Sequence, residues 1–259
     1  VLPTYGNRDC RTPTLDYLAE NGVVMENAFT PIPVCSPARA SLLTGRLPSQ
    51  HGVHDYIGSG DACYRRNWMR EEVSLAMLLS QAGYQTALSG KWHLGNDDIP
   101  QPGYDEWFAI TGDYPIPHSG DYRFSNNGAI EHHSDFKTRL LTEKAIEFVR
   151  NRDRERPFFL HIGYVGTHHP WSGHPERLVE PYRRMNLQDM PDDTAYPFGI
   201  QVLESTFDTR NDPQEALAQY YASVTEIDES IGSLVDTLES AGLADDTLIV
   251  YTSDHGLCC

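Results

Sequence analysis

The sequence predicts an α/β protein with a mostly parallel central sheet, helices on both faces of the sheet, and a site at the C-terminal ends of the strands. Helical segments alternate with apolar, strand-like runs along the chain, which is the order that gives parallel strands. Polar residues directly follow three of these runs, at 91–93, 168–169 and 254–255. Because parallel strands end at one edge of a sheet, we expect these distant side chains to line one pocket.

The first half of the chain predicts three helices and two strands. The first two helices each have a proline near the start and a glycine at or just beyond the end, and apolar residues before Gly83 mark the third. In order, the elements are a helix over 12–21, a strand over 23–29, a helix over 35–45, a helix over 74–82 and a strand over 84–88. Cys35 therefore falls at a helix N-terminus.

The second half predicts two longer helices, over 134–150 and 212–240; the second opens at Asp212-Pro213 and is stopped by Gly242. Two nearly continuous apolar runs, 157–165 and 247–252, are typical of strands covered on both faces. Residues 100–133 predict long loops and short strands, and residues 175–212 predict mainly loop.

The charge of the chain excludes one class of partner. Its 259 residues carry 20 Lys and Arg against 37 Asp and Glu, for a formal net charge of −17. This field repels polyanions, so we expect no nucleic-acid partner, and an anionic substrate would need a local pocket of cations or a metal. No apolar run approaches the roughly 20 residues that span a bilayer, so we expect no membrane span.

The five cysteines do not predict a disulfide framework or a zinc site. Their number is odd, their spacing is irregular and no CxxC pair occurs. We interpret four of them as buried or surface thiols. The exception is Cys35, because of the motif that it begins.

Four motifs occur in order, at a predicted helix N-terminus and at predicted strand ends. They are Cys35-Ser36-Pro37-Ala38-Arg39, Gly90-Lys91-Trp92-His93-Leu94-Gly95, Thr167-His168-His169-Pro170 and Thr252-Ser253-Asp254-His255-Gly256. Together they resemble the type I, formylglycine-dependent sulfatases of the alkaline phosphatase superfamily, over almost the whole chain. The pattern departs from the family at Ala38, where many members carry serine.

The resemblance implies that residues 1–259 are the N-terminal catalytic sulfatase domain of a longer protein, incomplete at both ends. The sequence opens at Val1 without methionine and stops directly after a strand-like run. The family's upstream acidic metal ligands and its downstream lysine lie outside this chain.

The resemblance assigns the chemistry of Cys35. In this family the motif cysteine is oxidised to formylglycine by a formylglycine-generating enzyme, which we expect as a partner during maturation. The hydrated aldehyde is a geminal diol, of which one hydroxyl attacks sulfur and the other later expels sulfate. A serine could perform the first step but not that elimination.

The remaining catalytic assignments are Arg39, Lys91, His93 and His168. Arg39 lies four residues after Cys35, on the same helical face, where its guanidinium can bond the diol. Lys91 and His93 alternate on a segment that we expect to be extended, so they face one side while Trp92 points into the core. By resemblance, Lys91 contacts the sulfate, His93 bonds the diol and His168 protonates the leaving group.

Substrate binding and metal binding are also assigned by resemblance. Lys91, His168, His169 and Trp171 are the substrate-binding candidates; His169 is the rival of His168, and Trp171 could stack on a sugar ring or pack. Asp254 and His255 would ligate a divalent metal. Calcium is the first choice, with Mn²⁺ or Mg²⁺ open because imidazole suits borderline metals better than calcium.

The predicted function is a sulfuric ester hydrolase that removes sulfate from a small molecule or glycan, with a carbohydrate as the first expectation. Two alternatives stay open. One is a phosphonate or phosphate ester hydrolase of the same superfamily, which the histidine at 255 permits. The other is a non-catalytic binding homologue in which Cys35 stays a thiol. By family analogy we expect a periplasmic, secreted or lysosomal location.

Overall fold

A five-stranded sheet forms the centre of the molecule. The computed structural model describes residues 1–58, 63–111, 121–168, 171–187 and 212–256. The strands are β1 (Gln85–Gly90), β2 (Glu106–Ile110), β3 (Tyr122–Asn126), β4 (Ala129–His133) and β5 (Phe158–Gly163), in the order β4-β3-β2-β1-β5. β1 pairs in parallel with β2 and β5, whereas β2–β3 and β3–β4 are antiparallel. The α/β class is confirmed, with a sheet that is parallel in one half and antiparallel in the other.

Helices cover both faces of this sheet, as predicted. The side chains of β1 alternate: Leu88 packs in one core with Ala76, whereas Ala87 packs in another with Phe148 and Val149. The helices are α1 (Pro13–Glu20), α2 (Cys35–Thr44), α3 (Pro48–His51), α4 (Leu75–Gln81), α5 (Lys137–Asn151), α6 (Glu176–Arg183) and α7 (Pro213–Ser240). Among the described helices, none combines the length and apolarity needed to cross a bilayer.

The helix boundaries follow the sequence signals closely. The Ser74 hydroxyl accepts a hydrogen bond from the Met77 N–H at the start of α4, and the Asp212 carboxylate accepts one from the Glu215 N–H at the start of α7. Gly45 ends α2 with φ 67°, a conformation that a side chain disfavours. These local caps explain why the predicted helices are confirmed within a few residues.

Two predicted strands are wrong. Residues 23–29 and 247–252 are not paired in the described part of the sheet, and their apolar side chains are exposed: Val23 by 84%, Phe29 by 90% and Leu248 by 88%. The pattern of apolar residues was correct for strands, but a strand also needs a neighbour for its backbone groups. The strand β5, expected to be covered on both faces, is half-buried at the edge of the described sheet.

The loop predicted over 175–212 contains a helix that the sequence did not indicate. Pro181 lies inside α6 and disfavours a helix, but α6 buries Leu178, Val179 and Tyr182 against α7. Tertiary packing therefore overrides a weak local signal. Residues 188–211 of this predicted loop, and 112–120 of the loops predicted over 100–133, lie outside the described residues.

A buried carboxylate on α7 fixes the start of α1. Asp228 is 1% exposed and accepts hydrogen bonds from the N–H groups of Thr14 (3.1 Å) and Leu15 (2.8 Å). These N–H groups belong to the first turn of α1, where no intrahelical partner exists. Thr12, the N-cap residue, makes no side-chain cap hydrogen bond, so the cap comes from α7 instead.

We expect Asp228→Ala to lower the free energy of unfolding by about 2 kcal/mol, because two buried N–H groups lose their acceptor. Urea titration followed by circular dichroism measures this loss. Asp228→Asn is the matched control: it keeps an acceptor oxygen, so its loss should be smaller. Unchanged stability in Asp228→Ala would contradict a capping role.

Candidate active site

The site lies where β1 and β5 end. The N–H of Lys91 donates to the carbonyl of Gly163 (2.8 Å), which carries the parallel pairing one residue beyond β1. Gly90 has φ 127°, and a Cβ there would lie 2.2 Å from the Gly163 oxygen. Only glycine permits this approach of the two backbones, which fixes the direction in which Lys91 leaves the sheet.

Cys35 is the first residue of α2, as predicted, and it is buried at 8% exposure. Its Sγ lies 3.3 Å from Nε2 of His255, a residue 220 positions away in sequence. Burial raises the pKa of the Cys35 thiol, but the Lys91 ammonium and the His255 imidazole lower it by more. The net shift is downward, so the surroundings of this atom favour negative charge.

Arg39 connects α2 to the segment after β1 and to Asp254. Its Nη1 donates to the carbonyl of Lys91 (2.8 Å), and its Nε lies 2.9 Å from Oδ2 of Asp254. Burial raises the pKa of the Asp254 carboxyl, but Arg39 and then Lys91 lower it by more, so Asp254 is held as a carboxylate. Of the three segments expected to line one pocket, 91–93 and 254–255 are thus brought together, with Arg39 between them.

Lys91 and His93 are both buried in the site, while Trp92 packs in the core against Tyr104 and Trp107. The segment is irregular and not extended as expected, since His93 has φ 62°. Burial, and then the Arg39 guanidinium, lower the pKa of the Lys91 ammonium. The charge of Cys35 and a hydrogen bond to it raise this pKa, but by less.

The carbonyl of Ile57 determines the tautomer of His93. Nε2 of His93 lies 3.1 Å from that oxygen, which can only accept, so Nε2 carries the proton. Burial, and then Lys91 and Arg39, lower the pKa of His93 to about 2. The ring is therefore neutral, and its Nδ1 is an acceptor.

Asp97, for which the sequence predicts no role, holds this segment in place from inside the protein. It is fully buried, its Oδ2 accepts the N–H of His93 (3.3 Å), and its carbonyl accepts the indole N–H of Trp107 (3.1 Å). The direction of the carboxylate depends on the strained φ of His93, which no local pattern indicates.

The Asp97→Asn variant tests this buried acid. Burial raises the pKa of Asp97 from 3.8 to about 7. Between these values the unfolded chain releases the proton while the folded chain keeps it, so wild-type stability falls as pH rises. Asparagine keeps an acceptor for the His93 N–H without titrating. We expect the Tm of Asp97→Asn relative to wild type to increase between about pH 4 and about pH 7 in calorimetry; a difference independent of pH would contradict this.

The predicted substrate-binding residues have different surroundings. The His168 N–H donates to the Val165 carbonyl (2.9 Å), and the His168 side chain interacts electrostatically with His93. The indole of Trp171 donates to the Thr167 carbonyl (3.0 Å) and packs edge-on against Tyr220, with ring centroids 5.3 Å apart. His169 lies outside the described residues.

Asp254 and His255 offer ligands that suit a divalent cation. One ligand atom from each, together with the Cys35 sulfur, lie within 4.8 Å of one another. Nδ1 of His255 lies 2.8 Å from the Gly256 carbonyl, so in the neutral ring Nδ1 carries the proton and Nε2 keeps the lone pair that a metal needs. One carboxylate and one imidazole fit a metal but do not select calcium over manganese or magnesium.

Comparison with known proteins agrees with this arrangement. The sulfatase family model matches residues 2–258. Human N-sulphoglucosamine sulphohydrolase is 32% identical over 261 residues, covering 98% of this chain and 47% of the human protein. N-acetylglucosamine-6-O-sulfatase of Bacteroides thetaiotaomicron is 27% identical over 322 residues, covering 99% of this chain and 55% of that protein. The chain thus spans about half the length of the curated relatives that it matches.

A solved structure agrees in three dimensions. A Bacteroides fragilis protein assigned to the sulfatases superimposes with a TM-score of 0.82 at 26% identity, covering 99% of this chain and 59% of that one. Three observations agree. The family model matches nearly all residues, the fold is shared with a solved structure, and cysteine, arginine, lysine and an aspartate–histidine pair lie together at one edge of the sheet. The chain belongs to the sulfatase family.

Proposed function

We propose that this chain is the catalytic part of a formylglycine-dependent sulfatase that removes sulfate from a sulfated carbohydrate. The observation that carries the proposal is the position of Cys35, buried at the start of α2 with its sulfur 3.3 Å from His255 and hydrogen-bonded to Lys91. A reactive group formed at this position would lie next to the cation Lys91 and to the proposed metal ligands Asp254 and His255.

Local positive charge supports an anionic substrate. The net charge of −17 repels sulfate esters at long range, but Arg39 and Lys91 are both held close to Cys35 in the buried site. The N-terminus of α2 adds positive potential at the same point. Lys91 binds the sulfate oxygens, and Arg39 keeps Asp254 charged and the Lys91 backbone fixed.

Two histidines have different roles. His93 stays neutral with Nε2 protonated, so its Nδ1 accepts a hydrogen bond from a hydroxyl at position 35. His168 donates a proton to the departing alcohol, because an alkoxide is a poor leaving group. The hydrate of formylglycine at position 35 supplies both the hydroxyl that attacks sulfur and the second hydroxyl, which expels sulfate as the aldehyde re-forms.

The metal proposal rests on the same residues. Asp254 and His255 would hold a divalent cation, with calcium as the first candidate and Mn²⁺ or Mg²⁺ as the others. Such a cation supplies positive charge to the sulfate oxygens and to the nucleophile. Asp254 is held as a carboxylate, which is the form that a metal requires. Burial lowers the pKa of His255, but its contacts, first the one with Cys35, raise it by more, so a metal at Nε2 would displace a proton from this ring.

The substrate class is supported by what the relatives act on. The named relatives are an N-acetylglucosamine-6-O-sulfatase and an N-sulphoglucosamine sulphohydrolase, both named for aminosugar sulfates. His168, His169 and Trp171 remain the proposed substrate contacts, with Trp171 on a segment packed against α7. We further propose a formylglycine-generating enzyme as the maturation partner and a periplasmic, secreted or lysosomal location.

The test is a mass measurement on the full-length protein, co-produced with a formylglycine-generating enzyme. A loss of about 18 Da in the peptide that contains Cys35 is the expected result. Rates on sulfated aminosugars, an aryl sulfate and an aryl phosphonate should then be highest on a sulfate ester. An unmodified thiol without turnover favours a binding protein, and faster phosphonate cleavage favours the alternative ester hydrolase.

A further inference from the structure

The segment that carries His168 lies along α7. A Cβ at Gly166 would lie 2.7 Å from the Ser223 hydroxyl, so the segment approaches the helix closely at this point. Further along the segment, Trp171 packs against Tyr220 on the same helix. The described residues on both sides of His168 thus contact α7, at Gly166 before it and at Trp171 after it.

A buried polar pair, His174 and Glu226, also joins this segment to α7. Nδ1 of His174 donates to the Glu226 carboxylate on α7 at 3.0 Å, and the N–H of His174 donates to the Gln219 side chain at 3.2 Å. The His174 side chain is fully buried and that of Glu226 is 10% exposed. Removal of one partner from such a pair leaves the other desolvated and uncompensated, so the pair strongly favours one position of the segment.

We propose that His174 and Glu226 are positioning residues that hold the segment on α7 and thereby aim His168 at the leaving group of the substrate. This inference rests on the proposed function, because it assigns to His168 the proton transfer described there. Neither residue touches the reacting atoms. Their effect reaches His168 through Trp171, whose indole N–H donates a hydrogen bond to the carbonyl of Thr167, the residue before His168.

A positioning role differs from a merely structural one in its dependence on the leaving group. A misplaced proton donor slows the cleavage of esters whose alcohol needs a proton, and it has little effect where the departing phenolate is already stable. General loss of folded protein would lower both rates by the same factor. The ratio of the two rates therefore isolates the contribution of His168.

The experiment compares Glu226→Leu and Glu226→Gln with wild type in the full-length, formylglycine-containing enzyme. Substrates are para-nitrophenyl sulfate, which has a good leaving group, and phenyl sulfate, which has a poorer one. We expect Glu226→Leu to lose about 100-fold in kcat on phenyl sulfate and about 3-fold on para-nitrophenyl sulfate. Glu226→Gln keeps an acceptor for the His174 N–H, so its rates should stay near those of wild type.

Two further variants complete the design. Asp228→Asn changes a buried carboxylate two residues along α7 whose hydrogen bonds go to the start of α1, so it should leave the rate ratio unchanged. The double variant Glu226→Leu with His174→Leu should lose no more activity than Glu226→Leu alone, because both remove the same contact.

Each outcome separates this inference from the proposed function. If the formylglycine-containing wild type cleaves neither aryl sulfate, the proposed function fails. If wild type is active but Glu226→Leu slows both substrates equally, or slows neither, the positioning role is overturned while the proposed function stands. Loss of rate in Glu226→Gln equal to that in Glu226→Leu would also overturn it.

Discussion

We expect the Cys35→Ser variant to release at most one equivalent of phenol from an aryl sulfate and then to stop. Serine places a hydroxyl at the start of α2, next to Lys91 and His255, where it can attack sulfur. The resulting sulfate ester has no second hydroxyl on the same carbon, so sulfate cannot be expelled as it is from an aldehyde hydrate. The enzyme is left sulfated.

A rapid-mixing measurement with a chromogenic aryl sulfate checks this result as a burst without steady turnover. The mass of the peptide that contains residue 35 should rise by about 80 Da, the mass of an added SO₃ group. Cys35→Ala is the control, with neither burst nor mass change. Continuous turnover by Cys35→Ser would show that sulfate leaves without the second hydroxyl, and the proposed role of formylglycine would have to be abandoned.

Removal of Arg39 should have the second-largest effect. Arg39→Ala deletes the hydrogen bond to the Lys91 carbonyl and leaves the Asp254 carboxylate without its nearest cation. We expect kcat/KM on an aryl sulfate to fall by about 1,000-fold, because a proposed metal ligand and a sulfate-binding residue both lose their fixed positions. Arg39→Lys should recover only part of this loss, since one ammonium does not reproduce the planar fork.

Arg139→Ala is the matched arginine control for this prediction. Arg139 is exposed on α5 and pairs with Glu143 at 2.8 Å, so its loss should leave activity unchanged. Metal content after dialysis, measured by elemental analysis, should fall in Arg39→Ala and not in Arg139→Ala. Full activity in Arg39→Lys would contradict the bridging role of the guanidinium.

The accuracy of the sequence prediction depended on whether a signal was local. The start of α4 at Ser74 and the end of α2 at Gly45 were predictable because the capping residue and the apolar pattern lie within one turn. The strand predicted over 23–29 was wrong because strand formation depends on a neighbour that no local pattern contains. α6 was missed because its stability comes from packing on α7.

The site was predictable where motifs carry the chemistry and not where the fold supplies support. The contacts among Cys35, Arg39, Lys91 and the 254–255 pair agree with the convergence expected at the strand ends. Asp97, Glu226 and the Ile57 carbonyl were not predictable, because their roles arise from a turn, a helix face and a backbone oxygen. Aspartate in a turn or glutamate in a helix has no distinctive sequence context.

The contact between Gly90 and Gly163 has a consequence for the redesign of substrate choice. At this junction the main chain alone brings β1 and β5 together, with no room for a β-carbon, and Lys91 follows directly. Lys91, which we propose to bind sulfate, is thus anchored directly to a backbone junction. A library that varies loops to change substrate choice should therefore leave both glycines unchanged, because a side chain at either would separate the two strands.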